Sequence, residues 1–72
     1  MSGLILVIED EQDLVRTLSY NLNKDGYQVR TALTGEEGIA QTELAPTPDL
    51  ILLDLMLPDM SGIDVCRHVR RT

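Results

Sequence analysis

Two uninterrupted apolar runs constrain the fold of this chain more than any other feature. They are Leu4–Ile8 and Leu50–Leu53. Aliphatic runs without polar alternation are typical of strands covered on both faces, as in parallel sheets that lie between layers of helices. Acidic residues follow each run at once, Glu9 and Asp10 after the first and Asp54 after the second. The sequence therefore predicts two buried strands that each end in carboxylates.

Length and charge exclude several classes of protein. A chain of 72 residues forms one domain at most, and a chain of about this size buries only ~60% of its unfolded surface. The net charge of −6 argues against a nucleic-acid-binding surface. No apolar stretch reaches the roughly 18 residues of a membrane span, and no signal peptide is visible. The single cysteine, Cys66, excludes an internal disulfide, so we expect a cytoplasmic protein in which Cys66 is a buried thiol.

The rest of the pattern alternates helices with strands. Apolar residues at helical spacing predict a first helix that begins near Glu11 and ends at Gly26. Residues 27–32 alternate and include β-branched side chains, which predicts a second strand at a sheet edge. Thr34 and Glu37 form a capping box that starts a second helix, which is predicted to end at about Leu44 before Pro46 and Pro48. The predicted order up to this point is βαβα, and the second apolar run adds a third strand.

A third helix is predicted after the second apolar run. Ser61 is its expected cap, and Ile63, Cys66 and Val69 are spaced to bury one stripe. The complete order is βαβαβα, which implies a parallel sheet with right-handed crossovers. Ligands bind such sheets at the carboxyl ends of the strands. If the first strand lies between the other two, the carboxylates after the first and third strands converge there.

Three converging carboxylates have a natural chemical use. They repel one another unless they take up protons or share a hard cation. Magnesium prefers oxygen ligands, which Asp10, Asp54 and a backbone carbonyl provide. With such an ion, Asp54 could attack phosphorus and form an aspartyl phosphate.

A plainer interpretation of the acidic residues stays open. An acid after a strand is often only a helix cap or a solvated loop residue. Glu11 and Asp13 complement the positive end of the first helix, and Asp59 is interpreted as a turn residue after Pro58. The combination of the two acidic clusters favours the site over these separate explanations.

At this point the residues resemble a known family, the receiver domain of two-component response regulators, especially those that precede winged-helix transcription-factor domains. The motif residues that carry the resemblance are Glu9, Asp10, Asp54, Met56, Pro58 and Gly62. The resemblance implies that a partner histidine kinase phosphorylates Asp54, with Mg²⁺ bound by Asp10, Asp54 and the Met56 carbonyl. It further implies that Glu9 contributes to the acidic pocket, that Pro58 and Gly62 shape the loop, and that the domain is not an enzyme.

The resemblance covers residues 1–72 but only the first part of the family pattern. A complete receiver is similar to a five-strand fold with strand order 2-1-3-4-5. We therefore expect an α/β, partial flavodoxin-like βαβαβα unit with a three-stranded parallel sheet in order 2-1-3, a truncated receiver without an effector domain. The family's later Ser or Thr and its Lys have no counterpart here, and Lys24 is the only lysine. Phosphotransfer is expected to be impaired.

The third strand raises a question of assembly. Its apolar sequence is unsuited to an open sheet edge, so we expect a homodimer, most simply one in which the third strands of two chains pair and complete the sheet. In a second version the two chains exchange their third helices. This leaves an alternative function, a self-associating interaction module that does not depend on phosphorylation. A magnesium-dependent phosphohydrolase is less favoured, because Met56 stands where such enzymes commonly carry a second acid.

Overall fold

The computed structural model describes residues 3–54 and 56–70, except for the side chains of His68 and Arg70. The elements are β1 (Leu4–Ile8), α1 (Gln12–Lys24), β2 (Gln28–Ala32), α2 (Gly35–Thr42), β3 (Leu50–Leu53) and α3 (Gly62–Arg70). The predicted βαβαβα order is confirmed. The second strand begins one residue later than predicted, and the second helix stops before Leu44, where the prediction had placed its end.

The three strands form one parallel sheet in the order β2-β1-β3. The central strand, β1, is buried along its whole length. Its last residue, Ile8, lies opposite Ala32 of β2 and Leu53 of β3. The predicted strand order 2-1-3 is confirmed, and the carboxyl ends of all three strands lie at one edge.

Side chains of β1 contribute to both faces of the sheet, because successive residues of a strand point to opposite sides. On one face, Leu6 and Ile8 form a buried cluster with Ala32, Leu57 and Val65. On the other face, α1 supplies Val15 as its buried residue. The sheet thus lies between α1 on one side and α2 with α3 on the other, and this layering fixes where the strand ends point.

The third helix buries a different stripe from the predicted one. Val65 is fully buried and Val69 packs against the core cluster, whereas Cys66 is exposed and Ile63 is 56% exposed. The prediction of a buried Cys66 thiol is therefore wrong. Residues 65 and 69 are four positions apart and share one side of the helix, and Cys66 lies about 100° around the axis from Val65.

The hydroxyls of both predicted cap residues accept the expected hydrogen bonds, but the Glu37 carboxylate accepts from the Leu33 amide at 3.5 Å and not from the Thr34 amide of a full capping box. The Thr34 hydroxyl accepts a hydrogen bond from the Glu37 amide at 3.1 Å, and the Ser61 hydroxyl accepts from the Asp64 amide at 3.2 Å. Gly26, just after α1, has a φ of 98°, a conformation that glycine adopts without strain. These local signals set where α1 ends and where α2 and α3 begin.

Gly38 is a position where α2 packs closely on β1. A Cβ placed there would lie 2.5 Å from Cδ1 and 2.9 Å from Cγ1 of the buried Ile8. We expect Gly38→Ala to destabilise the protein by about 1 kcal/mol, because overpacking costs about 1–3 kcal/mol and the gain in helix propensity is only about 1 kcal/mol. Urea unfolding followed by circular dichroism measures the change.

A double-mutant cycle assigns that change to one contact. Ile8→Val removes Cδ1 and alone should lower the free energy of unfolding by about 0.5–1.5 kcal/mol. In the Gly38→Ala background it should cost clearly less, because loss of Cδ1 relieves the clash with the methyl group that Gly38→Ala introduces. Additive effects of the two substitutions would contradict this explanation, since residues in contact are expected to couple.

Candidate functional site

Backbone hydrogen bonds hold two acidic residues at the carboxyl end of the central strand. The Glu9 amide donates to the Ala32 carbonyl at 3.0 Å, and the Asp54 amide donates to the Ile8 carbonyl at 2.9 Å. Each residue thus continues the strand ladder by one bond beyond the regular sheet. Their side chains leave from a rigid part of the backbone, which is what a precisely placed site requires.

Three carboxylates meet at this edge of the sheet. One oxygen each from Glu9, Asp10 and Asp54 lies within 4.8 Å of the others. Glu9 and Asp54 are half-buried, whereas Asp10 is exposed. The convergence expected from the strand order is therefore present in the structure, while the roles of the three residues remain predictions.

The pKa of Glu9 reflects its crowded surroundings. The hydrogen bond that it accepts from the Glu11 amide, at 3.1 Å, lowers its pKa, but desolvation together with the neighbouring Asp10 and Asp54 carboxyls raises the pKa above the usual value for glutamate. Repulsion between carboxylates disfavours the charged form, as does removal from water. The site would therefore be stabilised by a cation.

The loop after β3 begins with a turn held by Asp54 itself. Its Oδ1 atom accepts a hydrogen bond from the Met56 amide at 3.0 Å, the arrangement of an Asx turn. The Met56 side chain is 83% exposed, and its backbone forms an isolated antiparallel bridge with Ser61. Any contribution of Met56 to the site comes from its backbone.

The other two loop residues named from the sequence lie farther along the same segment. Pro58 is exposed, and Gly62 is buried as the first residue of α3. Between β3 and Pro58, Leu57 is buried in the core cluster. The loop is thus anchored by an apolar side chain, and the shaping roles of Pro58 and Gly62 remain predictions.

Asp59 makes contacts that the sequence did not predict. Its Oδ1 accepts from the Gly35 amide at 2.7 Å and its Oδ2 accepts from the Glu36 amide at 2.9 Å. The hydrogen bonds from Glu36 and Gly35 hold the pKa of Asp59 below its usual value. Asp59 therefore caps the start of α2 from a distant loop. The only signal in the sequence is the general preference of aspartate for helix N-termini, which does not indicate which helix is capped.

A cleft with a volume of about 300 Å³ opens beside the acidic group. Glu9 and Asp54 line it together with apolar residues of β1, β3 and α1, namely Val7, Ile8, Leu18, Leu52 and Leu53. The half-buried Asp54 carboxylate is therefore reachable from solvent along a mostly apolar wall.

The donor set fits a hard divalent cation. Carboxylate oxygens are the ligands that Mg²⁺ and Ca²⁺ prefer in proteins, and three such oxygens lie within 4.8 Å of one another. The groups that act on the Glu9 carboxyl include two further carboxyls, so the local charge is negative. Glu9, Asp10 and Asp54 are suited to hold such an ion.

Comparison with known proteins agrees with this geometry. A family model described as the response regulator receiver domain matches residues 5–72. The chain belongs to this family. The receiver domain is 48% identical over 71 residues to the alkaline phosphatase synthesis transcriptional regulatory protein PhoP of Bacillus subtilis, a match that covers 99% of this chain and 29% of the relative. It is 43% identical over 67 residues to the response regulator ArlR of Staphylococcus aureus, with 93% of this chain and 30% of the relative covered.

Solved structures give the same result for the fold. The receiver domain superposes on a CheY-like response regulator receiver domain protein from Methanospirillum hungatei with a TM-score of 0.92 and 30% sequence identity. The match covers 99% of this chain and 56% of that chain. The receiver domain therefore spans about three-tenths of the curated relatives that it matches and about half of the solved structure. No helix among the described residues has the length and apolar character to cross a bilayer.

Charge repulsion at the site gives a test that needs no ligand. Without divalent cations, Asp54→Asn should stabilise the receiver domain by about 0.5–1 kcal/mol, because it removes one of three clustered negative charges in a partly solvated position. The asparagine Oδ1 can still accept the Met56 hydrogen bond. Thermal unfolding in the presence of a chelator measures the change.

A matched substitution separates this effect from general loss of negative charge. Asp13→Asn removes an acid from the first turn of α1, where its negative charge interacts favourably with the positive end of the helix dipole. This substitution should therefore leave the free energy of unfolding unchanged or lower it slightly. If both variants were stabilised equally, local repulsion at Asp54 would not be the cause.

Proposed function

We propose that this receiver domain accepts a phosphoryl group on Asp54 from a sensor histidine kinase. The observation that carries the proposal is the meeting of Glu9, Asp10 and Asp54 within 4.8 Å at the strand ends. Membership of the receiver family supports it, as does the sequence similarity to PhoP and ArlR. Receiver domains are in general not enzymes, and we propose the same for this domain, acting in the cytoplasm.

In this proposal Asp54 is the nucleophile. We assign the attack to Oδ2, because Oδ1 accepts the Met56 hydrogen bond that orients the carboxylate. The Oδ2–phosphorus bond forms as the bond from phosphorus to the donor's imidazole nitrogen breaks, and the electron pair leaves with the imidazole. The product is an aspartyl phosphate, a covalent intermediate known for carboxylate nucleophiles.

The same proposal includes Mg²⁺ as cofactor. Asp10, Asp54 and the Met56 backbone carbonyl would hold the ion, with Glu9 adding negative charge to the acidic pocket. When bound, Mg²⁺ would neutralise charge between the carboxylates and the incoming phosphoryl group. The three carboxylate oxygens within 4.8 Å of one another, with Asp10 exposed, support a site that takes up a cation from solvent.

Phosphorylation of the 72-residue polypeptide itself is expected to be slow. Its only lysine, Lys24, is the last residue of α1. Because α1 starts near the site and is 13 residues long, its far end lies about 20 Å away along the helix axis. One positioned donor to the developing charge is commonly worth about 10²–10³ in rate, and Lys24 cannot supply it.

The phosphorylation proposal predicts one covalent adduct. Incubation of the polypeptide with Mg²⁺ and a small acyl phosphate should give a single phosphoryl addition by intact-mass spectrometry, formed slowly. Asp54→Asn should abolish it because the nucleophile is lost, whereas Asp13→Asn should retain it. Omission of Mg²⁺ or the substitution Asp10→Asn should slow it further.

The outcome that contradicts the phosphorylation proposal is equally clear. An adduct that persists in Asp54→Asn would show that a residue other than Asp54 accepts the phosphoryl group. Complete absence of the adduct in the wild-type polypeptide over long incubation would favour an interaction module that works without phosphorylation.

A specific observation favours self-association as a second candidate function. Within the residues that the structure describes, β3 pairs with β1 and has no strand along its other edge. Leu50 at its start is 52% exposed. An apolar cavity of about 150 Å³ lies along β3 and α3, lined by Ile51, Leu53, Val65, Cys66 and Val69. A second copy paired through β3 about a two-fold axis would cover this surface in both chains.

The homodimer predicts a concentration-dependent mass near twice 8.0 kDa in light scattering after size exclusion. Leu50→Lys should shift the polypeptide to the monomer, because strand pairing would remove the lysine charge from water and lysine is a common protector of edge strands. Ile63→Lys is the matched control, since Ile63 is similarly exposed but lies on α3.

A stably folded monomer at all concentrations would overturn the homodimer. Equal loss of the dimer in both lysine variants would place the contact away from the edge of β3. Asp54→Asn should leave the mass unchanged, so the two candidate functions are tested separately.

A further inference from the structure

The loop that follows β3 is fastened to α2 by one side chain. Both carboxylate oxygens of Asp59 are used, Oδ1 by the Gly35 amide at 2.7 Å and Oδ2 by the Glu36 amide at 2.9 Å. These two amides belong to the first turn of α2, where backbone N–H groups have no partner within the helix. A negative charge at this position also complements the helix dipole.

Close packing beside Asp59 strengthens the same contact. A Cβ at Gly35 would lie 2.3 Å from Cγ and 2.8 Å from Sδ of Met60. Met60 itself packs against the core cluster. The absence of a side chain at Gly35 therefore lets the loop approach the backbone of α2 closely enough for Asp59 to reach two amides.

The fastened segment is the one that carries the candidate site. It begins with Asp54, whose Oδ1 holds the Met56 amide, and it closes on itself where Met56 bridges Ser61. Asp59 lies inside this closed turn. A movement of Asp59 away from α2 would loosen the turn and with it the Met56 backbone.

We infer that Asp59 is a positioning residue for the site, which holds the loop against α2 so that the Met56 amide keeps its hydrogen bond to the Asp54 carboxylate. The inference rests on the proposed function, in which the Met56 backbone carbonyl is a metal ligand. Asp59 contacts neither the metal nor the phosphoryl group and acts through the loop backbone.

The structure offers a matched control for this role. Thr34 also caps α2, through the hydrogen bond from the Glu37 amide to its hydroxyl, but no bond joins this hydroxyl to the loop. Thr34→Ala and Asp59→Ala both weaken the start of α2, and only Asp59→Ala releases the loop. A difference between the two variants reports on positioning and not on helix stability.

Magnesium affinity, measured by isothermal titration calorimetry on the full 72-residue chain, is the first readout. At a temperature where all variants are fully folded by circular dichroism, Asp59→Ala should raise the Kd for Mg²⁺ about 10-fold, the lower end of the usual effect of residues that orient metal ligands. Thr34→Ala should leave the Kd nearly unchanged. Asp59→Asn, which keeps one acceptor oxygen, should fall between the wild type and Asp59→Ala.

Amide hydrogen exchange without metal is the second readout. Asp59→Ala should speed exchange of the Met56 amide, which donates to Asp54, more than Thr34→Ala does. The inference would be overturned if the two variants changed the exchange rate of the Met56 amide equally, or if neither variant changed it. If the wild-type chain does not bind Mg²⁺, the proposed metal site fails, and the exchange of Met56 alone decides whether Asp59 positions the loop.

Discussion

The parallel pairing of β1 with both neighbours is the interaction on which the rest of the structure depends. It covers both hydrogen-bonding edges of β1, whose residues are all buried, and brings Ile8 between Ala32 and Leu53. The same register places Glu9 beside the end of β2 and Asp54 beside the end of β1 through backbone hydrogen bonds. The apolar core and the acidic group therefore have one cause, and a slip of the register would destroy both.

In this arrangement, some residues stabilise the folded protein while residues next to them destabilise it. Apolar burial in β1 stabilises the sheet, while desolvation and the neighbouring carboxylates at its end raise the pKa of Glu9 against the lowering effect of the Glu11 amide. A chain of this size has little stability in reserve. The strand ends hold the carboxylates of Glu9, Asp10 and Asp54 close together in spite of their repulsion. Their oxygen atoms are therefore already near one another before any cation binds.

The sequence was sufficient for those parts of the fold that local patterns determine. Unbroken apolar runs identify β1 and β3, and the hydroxyls of Thr34 and Ser61 mark the starts of α2 and α3. The buried side of α3 was not predictable in this way, because the packing of Val65 against the core determines the rotation of the helix. Spacing alone does not distinguish Val65 from its neighbour Cys66.

Asp59 shows why one contact of the loop escaped prediction, although Met56, Pro58 and Gly62 of the same loop were named from the sequence. Its partners, Gly35 and Glu36, precede it by more than 20 residues, and a cap supplied from so far along the chain leaves no local pattern. As a result the proposed site has two supports. Backbone hydrogen bonds of the sheet hold Glu9 and Asp54, whereas the first turn of α2 holds the loop through Asp59. A change at the Gly35 and Glu36 amides therefore acts on the loop, while a change at Gly38 acts on Ile8 and so on the end of the central strand.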